Sequence, residues 1–189
     1  MYGLVNRAIQ DMVCERFDEA TWEKIKQKAQ VLDKQFLILE AYPDDLTHRL
    51  VKSASEVLGL PGAEIMQAFG EYWVKFTATA GYQEILDMAG DTLPEFLENL
   101  DDLHIRIGVQ FPKLRPPSFE CTEVARDVIE LHYRSTREGF APMVVGLVKG
   151  LGDRFETAVE IAHTQSREEG FEHDIFRIEY RSEEIVNDS

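Results

Sequence analysis

The stretch VIELHYRSTR, residues 128–137, has the composition of an extended β-strand that ends in polar side chains. In an extended chain, alternate residues lie on the same face. Tyr133, Ser135 and Arg137 are therefore predicted to point the same way and to present a phenol, a hydroxyl and a guanidinium group together. Such a set of groups can bind carboxylates or phosphates. Taken alone, the spacing favours an ordinary solvated strand face, so any binding role depends on the rest of the chain.

Other strands are predicted around this one in the last third of the chain. Residues 118–121, 155–164 and 175–181 have strand composition and are separated by turn signals. Residues 141–151 are apolar enough to form a buried helix between the strand at 128–137 and the strand at 155–164. This part of the chain is therefore predicted to form an antiparallel sheet that carries one helix.

The preceding part of the chain is predicted to be mainly helical, with one short extended stretch at residues 36–39. Helical periodicity or composition is found in segments that begin near Leu4, Thr21 and Asp44, over residues 63–79, and from Thr92 to Ile107. The sequence predicts an α+β fold, with a helical N-terminal half packed against the C-terminal sheet.

One histidine occupies an unusual place in this pattern. Thr92 and Glu95 have the spacing of a capping box, and His104 lies on the apolar face of the helix that follows. An imidazole on such a face is either a core histidine bonded to a backbone carbonyl or a ligand of a bound group. Pro116 and Pro117 then impose a stiff, extended backbone just before the sheet.

Composition limits the classes of partner and compartment. The 189 residues suffice for one domain with a substantial core, and the net charge of −15 repels nucleic acid and anionic membranes. The apolar stretches are too short to span a membrane, and the N-terminus lacks the pattern of a secretion signal, so a cytoplasmic protein is expected. Cys14 and Cys121 are expected to be reduced, buried thiols.

A histidine on a helix of one half and an anion-binding strand in the other half suggest a ligand that contains both a metal and carboxylates. Haem fits this description, because its iron takes an axial imidazole, its macrocycle needs apolar walls, and its propionates need polar donors.

These residues resemble the H-NOX family, the haem nitric oxide/oxygen binding domains that include the haem domain of soluble guanylate cyclase. The resemblance covers essentially the whole chain. It rests on the opening residues Met1 to Val5, on Phe69-Gly70-Glu71, on His104, on Pro116-Pro117, and on the Tyr-x-Ser-x-Arg pattern at Tyr133, Ser135 and Arg137. It implies a single haem-binding domain over residues 1–189, with a helical subdomain at about 1–63 and haem-embracing helices and sheet at about 64–189.

The resemblance also implies a role for each matching residue. His104 matches the proximal ligand of a non-covalent haem b. Tyr133, Ser135 and Arg137 match the group that binds the propionates, and Pro117, or alternatively Pro116, matches the proline that distorts the porphyrin. The positions that match the distal gas pocket are Val5, Ile9, Trp73, Thr77 and Met143.

Gas selectivity is expected to depend on the distal pocket. Oxygen-binding members of the family carry a distal tyrosine, and the matching position here is Met143, which has no donor. A shift of the alignment by one residue would place Pro142 there, which donates nothing either. The resemblance thus implies binding of nitric oxide and carbon monoxide with exclusion of oxygen, although the indole N–H of Trp73 leaves weak oxygen binding open.

The implied function is sensing without catalysis. Nitric oxide is expected to loosen the bond to His104 and so let the helical half rotate against the sheet. The output is expected to pass to a separate histidine kinase or cyclic-di-nucleotide enzyme. The alternatives are an oxygen or redox haem sensor, a haem enzyme such as a peroxidase, and a small-molecule-binding interaction domain without haem.

Overall fold

The N-terminal half is built from helices, and the first turn of the first helix is capped by another part of the chain. A computed structural model describes residues 1–31 and 35–182. The first three helices are α1 (Gly3–Arg16), α2 (Glu19–Lys28) and α3 (Asp44–Leu58). The first helix begins where the N–H of Gly3 donates to the Glu40 carbonyl and the N–H of Leu4 donates to the Ile38 carbonyl.

Residues 36–39 are not a strand, so the prediction of an extended stretch is wrong. Leu37 instead accepts a backbone hydrogen bond from Glu40 and begins a turn. The carbonyls of this turn are needed to satisfy the free N–H groups of the first helix, which explains why the apolar composition does not lead to a strand here.

The next helix runs longer than the sequence indicates and changes its winding. Helix α4 (Gly62–Thr77) continues into a π-helical segment, Ala78–Tyr82, and then into α5 (Gln83–Asp87). Gly81 adopts a φ of 93° inside that segment. Glycine adopts this left-handed backbone conformation without steric cost, and the resulting kink changes the direction of the chain before α5.

The helix predicted from Thr92 to Ile107 is divided into two, α6 (Leu93–Glu98) and α7 (Leu100–Gly108). Half of the capping box is present, because Thr92 Oγ1 accepts from the N–H of Glu95, whereas the Glu95 carboxylate accepts from the N–H of Asp91 instead of that of Thr92. The break lies at Asn99, whose side-chain amide donates to the Ala89 carbonyl at 2.9 Å. A short polar side chain that bonds a nearby backbone group favours such a break.

The C-terminal part confirms the antiparallel sheet with one helix. Strands β1 (Ser118–Ala125), β2 (Val128–Arg134), β3 (Thr157–Gln165) and β4 (Asp174–Ser182) pair in the order β1-β2-β4-β3. Helix α8 (Ala141–Arg154) lies between β2 and β3 in the chain. The fold is thus α+β, as predicted.

Two glycines let α8 approach α4 closely. A Cβ atom added to Gly146 would lie 1.9 Å from the Gln67 carbonyl oxygen, and one added to Gly70 would lie 2.2 Å from the Met143 carbonyl oxygen. Only glycine permits this backbone separation. The contact fixes α8 against the helical half and so sets the position of Met143.

The buried residues form two clusters. One cluster joins α1, α2, α3 and part of α4, and the other joins α6, the inner face of the sheet and α8. None of the described helices has the length and hydropathy required to cross a membrane.

Candidate functional site

An internal cavity of about 260 Å³ lies where the helical half meets the sheet. Its walls are mainly apolar side chains from α4, α6, α7, β2 and α8, and its polar groups are few. The predicted site residues that line it are Val5, Trp73, Thr77, His104, Pro116, Pro117, Tyr133, Ser135, Arg137 and Met143. The fold therefore brings together residues that are up to 138 positions apart in the chain (143 − 5).

His104 is held on α7 with its ring stacked on Phe119, at a centroid distance of 5.9 Å. Its Nδ1 atom is buried and has no hydrogen-bond partner among the described residues. Burial lowers the pKa of His104, and the nearby Asp101 carboxylate opposes this only in part. The imidazole is therefore neutral at neutral pH, which is the form that coordinates metals. The alternative of a core histidine satisfied at Nδ1 by a backbone carbonyl does not describe this residue.

The Tyr133, Ser135 and Arg137 side chains meet at the cavity, but not on one strand face. Strand β2 ends at Arg134, so only Tyr133 belongs to it, and the prediction of a strand to residue 137 is wrong. Ser135 Oγ accepts from the N–H of Arg137 at 3.0 Å and turns the chain. A serine that bonds the backbone two residues ahead competes with strand pairing, which is the physical reason for the early end.

Tyr133 and Arg137 differ in how they are held. Burial raises the pKa of Tyr133, so its phenol stays protonated and can donate a hydrogen bond. Arg137 donates from Nε to Asp44 Oδ2 at 2.8 Å and from an Nη to the Arg115 carbonyl at 2.6 Å. The guanidinium group is therefore fixed at the cavity rather than free in solvent.

The two prolines lie on the cavity wall just before β1, and a carboxylate joins this segment to the histidine helix. Asp101 on α7 accepts from Ser118 Oγ at 2.9 Å and from the N–H of Phe119 at 2.8 Å. Pro116 and Pro117 precede these two residues directly. Helix α7 and the proline segment are thus tied together one turn away from His104.

Four of the five predicted distal residues line the cavity. Val5, Trp73, Thr77 and Met143 line the cavity, whereas Ile9 is 2% exposed, packs in the N-terminal core and is not among the lining residues. Thr77 Oγ1 donates to the Trp73 carbonyl at 2.8 Å, so its proton is used within the helix. Met143 contributes a thioether and no donor.

Five polar residues of the cavity wall were not predicted as site residues, namely Tyr2, Tyr82, Lys113, Arg115 and Arg154. Tyr82 reaches it from the π-helical segment, and Arg154 reaches it from the end of α8, where it also donates to Asp87 at 2.5 Å. Gly81 was a detectable turn signal, but the change of winding that brings Tyr82 to the cavity had no sequence signature. Tyr82 matters because it is a second possible donor besides Trp73.

The other histidines and the cysteines lie elsewhere. His132 Nδ1 and His173 Nε2 are 2.8 Å apart, and His163 Nε2 lies 3.0 Å from Asp174 Oδ1. His48 packs edge-on against Phe140. Cys14 and Cys121 are free thiols, and burial raises the pKa of Cys121 to about 12, so that thiol is protonated.

Fold and site together present an apolar cavity lined by one neutral imidazole and by a set of side chains that can donate hydrogen bonds to an anion. A family model described as Haem-NO-binding matches residues 2–163. The chain belongs to this family of haem-binding gas-sensor domains, as its resemblance to H-NOX proteins implied.

Curated relatives agree with this assignment. Soluble guanylate cyclase gcy-31 of Caenorhabditis elegans is 34% identical over 184 residues, which cover 96% of this chain and 26% of the relative. Soluble guanylate cyclase gcy-35 of the same organism is 35% identical over 172 residues, which cover 89% and 25%. The chain therefore spans about a quarter of the length of these relatives.

Solved structures show the same fold. The chain resembles an H-NOX protein from S. oneidensis in the Fe(II)NO ligation state with a TM-score of 0.88 and 20% identity, covering 96% of this chain and 99% of that one. A mutant of an S. oneidensis H-NOX protein in the Fe(II) state gives a TM-score of 0.91 at 20% identity, covering 98% and 99%.

The residues around the cavity fit a haem. His104 lines the cavity as a neutral imidazole whose Nδ1 has no partner among the described residues, which is compatible with a ligand of a bound iron. The walls are apolar, as a macrocycle requires, and Tyr133, Ser135 and Arg137 supply donors for carboxylates.

Proposed function

We propose that this chain is a haem-based sensor that binds nitric oxide and carbon monoxide and largely excludes oxygen. The observation that carries the proposal is His104, a neutral imidazole on the wall of an apolar cavity with no hydrogen-bond partner for Nδ1 among the described residues. His104 would hold the iron of a non-covalent haem b. When bound, this haem supplies an open coordination position for a diatomic gas.

The remaining cavity residues have separate tasks in this proposal. Tyr133, Ser135 and Arg137 bind the two propionates by donating hydrogen bonds, with the guanidinium group supplying the positive charge. Pro117, with Pro116 before it, presses on the ring from the start of β1. These stiff residues cannot yield easily, because the ring of proline fixes φ.

Oxygen is excluded in this proposal because Met143 and Thr77 offer no free donor to a bound gas. Met143 donates nothing, and the Thr77 hydroxyl already donates to the helix backbone. Val5 and Trp73 complete this side of the cavity, and Ile9 supports it from the core behind.

Oxygen sensing is a second candidate function, and two residues favour it. Trp73 and Tyr82 both line the cavity and both carry a polar hydrogen. If either side chain donates to the gas, the protein binds oxygen. Exposure of the reduced protein to air distinguishes the two functions directly.

Signalling uses the attachment of α7. Asp101 ties α7, the helix that carries His104, to the start of β1, so a displacement of His104 would be passed to the sheet. The output partner is a separate histidine kinase or a cyclic-di-nucleotide enzyme in the cytoplasm, and the guanylate cyclase relatives favour a cyclase-type enzyme.

The test is haem binding by the purified chain and by His104→Gly. Titration with haemin is expected to give a Soret band with the wild-type chain, and a weaker, shifted band with the variant that added imidazole restores. A variant that binds haemin with the same affinity and the same spectrum as wild type would show that His104 is not the ligand.

A further inference from the structure

A carboxylate from the helical half holds the arginine of the cavity. Asp44 is the first residue of α3, and its Oδ2 accepts from Arg137 Nε at 2.8 Å across a separation of 93 residues. The Arg137 side chain is only 16% exposed, so this contact is partly shielded from water. The Asp44 side chain is 42% exposed, so the shielding is on the arginine side of the pair.

The charges around Asp44 favour the binding of a further anion. Its Oδ1 also accepts from the amino group of Met1, and that amino group donates to the Tyr42 carbonyl at 2.8 Å. The cluster therefore contains two cations and one carboxylate. The positive charge that remains suits the binding of another carboxylate at the same place.

The contacts of Arg137 fix the direction of its donors. Asp44 takes the Nε–H and the Arg115 carbonyl takes one Nη–H, so both ends of the planar group are restrained. The other N–H groups of Arg137 have no hydrogen-bond partner among the described residues. A guanidinium group whose orientation is already restrained loses less entropy when it binds a planar carboxylate. Without Asp44, the Nε–H would need another partner and the guanidinium plane could rotate.

We propose that Asp44 is a positioning residue for the cofactor site, which holds Arg137 ready for a haem propionate and joins the helical half to that contact. This inference rests on the proposed function in one respect, namely that the cofactor is haem. Asp44 itself does not contact the cofactor in this account. It acts only through Arg137.

The neighbouring Asp45 provides a matched control. It is also acidic, also lies in the first turn of α3, and pairs with Arg49 on its own helix at 2.9 Å. Its side chain is 76% exposed, against 42% for Asp44. Asp45→Asn thus removes the same charge from the same helix end without touching Arg137.

The first experiment is a haemin titration of the wild-type chain, Asp44→Asn and Asp45→Asn, followed at the Soret band. Loss of a hydrogen bond to a charged group predicts about ten-fold weaker haemin binding for Asp44→Asn. Asp45→Asn is expected to match wild type. Equal affinities in all three chains would overturn the inference while leaving haem binding established, whereas failure of the wild-type chain to bind haemin would overturn the proposed function itself.

A double-mutant cycle separates positioning from a merely structural role. In an Arg137→Gln background, Asp44→Asn is expected to cause no further loss of haemin affinity, because Asp44 then has no arginine to hold. Additive losses would show that Asp44 acts by another route. If Asp44→Asn does not fold, Asp44→Glu takes its place in the same cycle, since it keeps the charge but displaces the carboxylate, and the same two outcomes decide.

Discussion

His104 is the proposed iron ligand, and its burial makes the stability of the chain depend on pH. Its pKa is lowered by burial. The unfolded chain takes up this proton near pH 6.5, but the folded chain does so only at a lower pH. As the pH falls below about 6.5, the unfolded state therefore binds the extra proton and the haem-free protein loses stability.

This linkage gives the first prediction. Between about pH 7 and pH 5.5, the free energy of unfolding of the haem-free wild-type chain is expected to fall more steeply than that of His104→Leu, which lacks the buried imidazole at position 104 but keeps the other four histidines. Urea unfolding curves at several pH values measure both slopes. Identical slopes would show that His104 titrates normally in the folded chain and that its burial is not as described.

Met143 carries the second prediction, because it occupies the wall where a donor is missing. Met143→Tyr introduces a phenol, and a hydrogen bond to the gas is expected to raise oxygen affinity about ten-fold or more. Met143→Phe is the matched control, since it adds the same ring without the hydroxyl. Oxygen titration of the reduced haem-loaded proteins measures the effect. Equal oxygen affinity in the two variants would remove Met143 from the selectivity argument.

Tyr82 gives the third prediction, which tests the competing candidate. If oxygen is excluded for lack of a donor, Tyr82→Phe leaves the response of the reduced protein to air unchanged. The Tyr82 ring packs near Phe111, at a centroid distance of 6.3 Å, and this packing survives the loss of the hydroxyl. A drop in oxygen binding in Tyr82→Phe would show that the tyrosine donates to the gas.

At the scale of elements, the close packing of α4 and α8 positions the distal wall. The fourth prediction is that Gly146→Ala costs about 2 kcal/mol of unfolding free energy, because its methyl group would overlap the Gln67 carbonyl. Gly62→Ala is the control, since a Cβ added at Gly62 meets nothing within 4 Å. Chemical denaturation of the three chains measures the difference. Equal stability would mean that α4 and α8 separate at little cost.

The elements also show what the sequence could and could not predict. The helix beginning at Asp44, the N-cap at Thr92 and the strand around Leu131 follow from local rules of periodicity and capping, and the structure confirms them. The break at Asn99 and the turn at Ser135 were missed because each depends on one side chain bonding a particular backbone group. Composition does not reveal that choice.

The residues of the cavity, like the helices and strands, could be predicted only in part. His104 stood out because an imidazole on an apolar helix face needs an explanation, and the alternate spacing of Tyr133, Ser135 and Arg137 drew attention even though the strand ends early. The partnership of Arg137 with Asp44 could not be predicted, since it joins residues far apart in the chain through tertiary packing. The same is true of Tyr82, which the π-helical segment brings to the cavity wall.

At the scale of the whole molecule, the helical half and the sheet meet around one cavity that takes side chains from both. The Asp44–Arg137 ion pair and the α4–α8 contact connect these two parts. Arg137 and Met143, which take part in these contacts, also line the cavity. The net charge of −15 means that a partner surface is expected to be basic or neutral.

The most direct test of the central claim is the visible absorption spectrum of the reduced, haem-loaded protein under argon, then in air, then with nitric oxide. If the protein binds nitric oxide and excludes oxygen, air leaves the Soret band unmoved. Nitric oxide then shifts the band to the position of a five-coordinate haem, as expected if His104 is a releasable ligand. A shift in air would contradict oxygen exclusion and favour Trp73 or Tyr82 as a donor. The absence of a Soret band after reconstitution would contradict the assignment of His104 and of the cavity to haem.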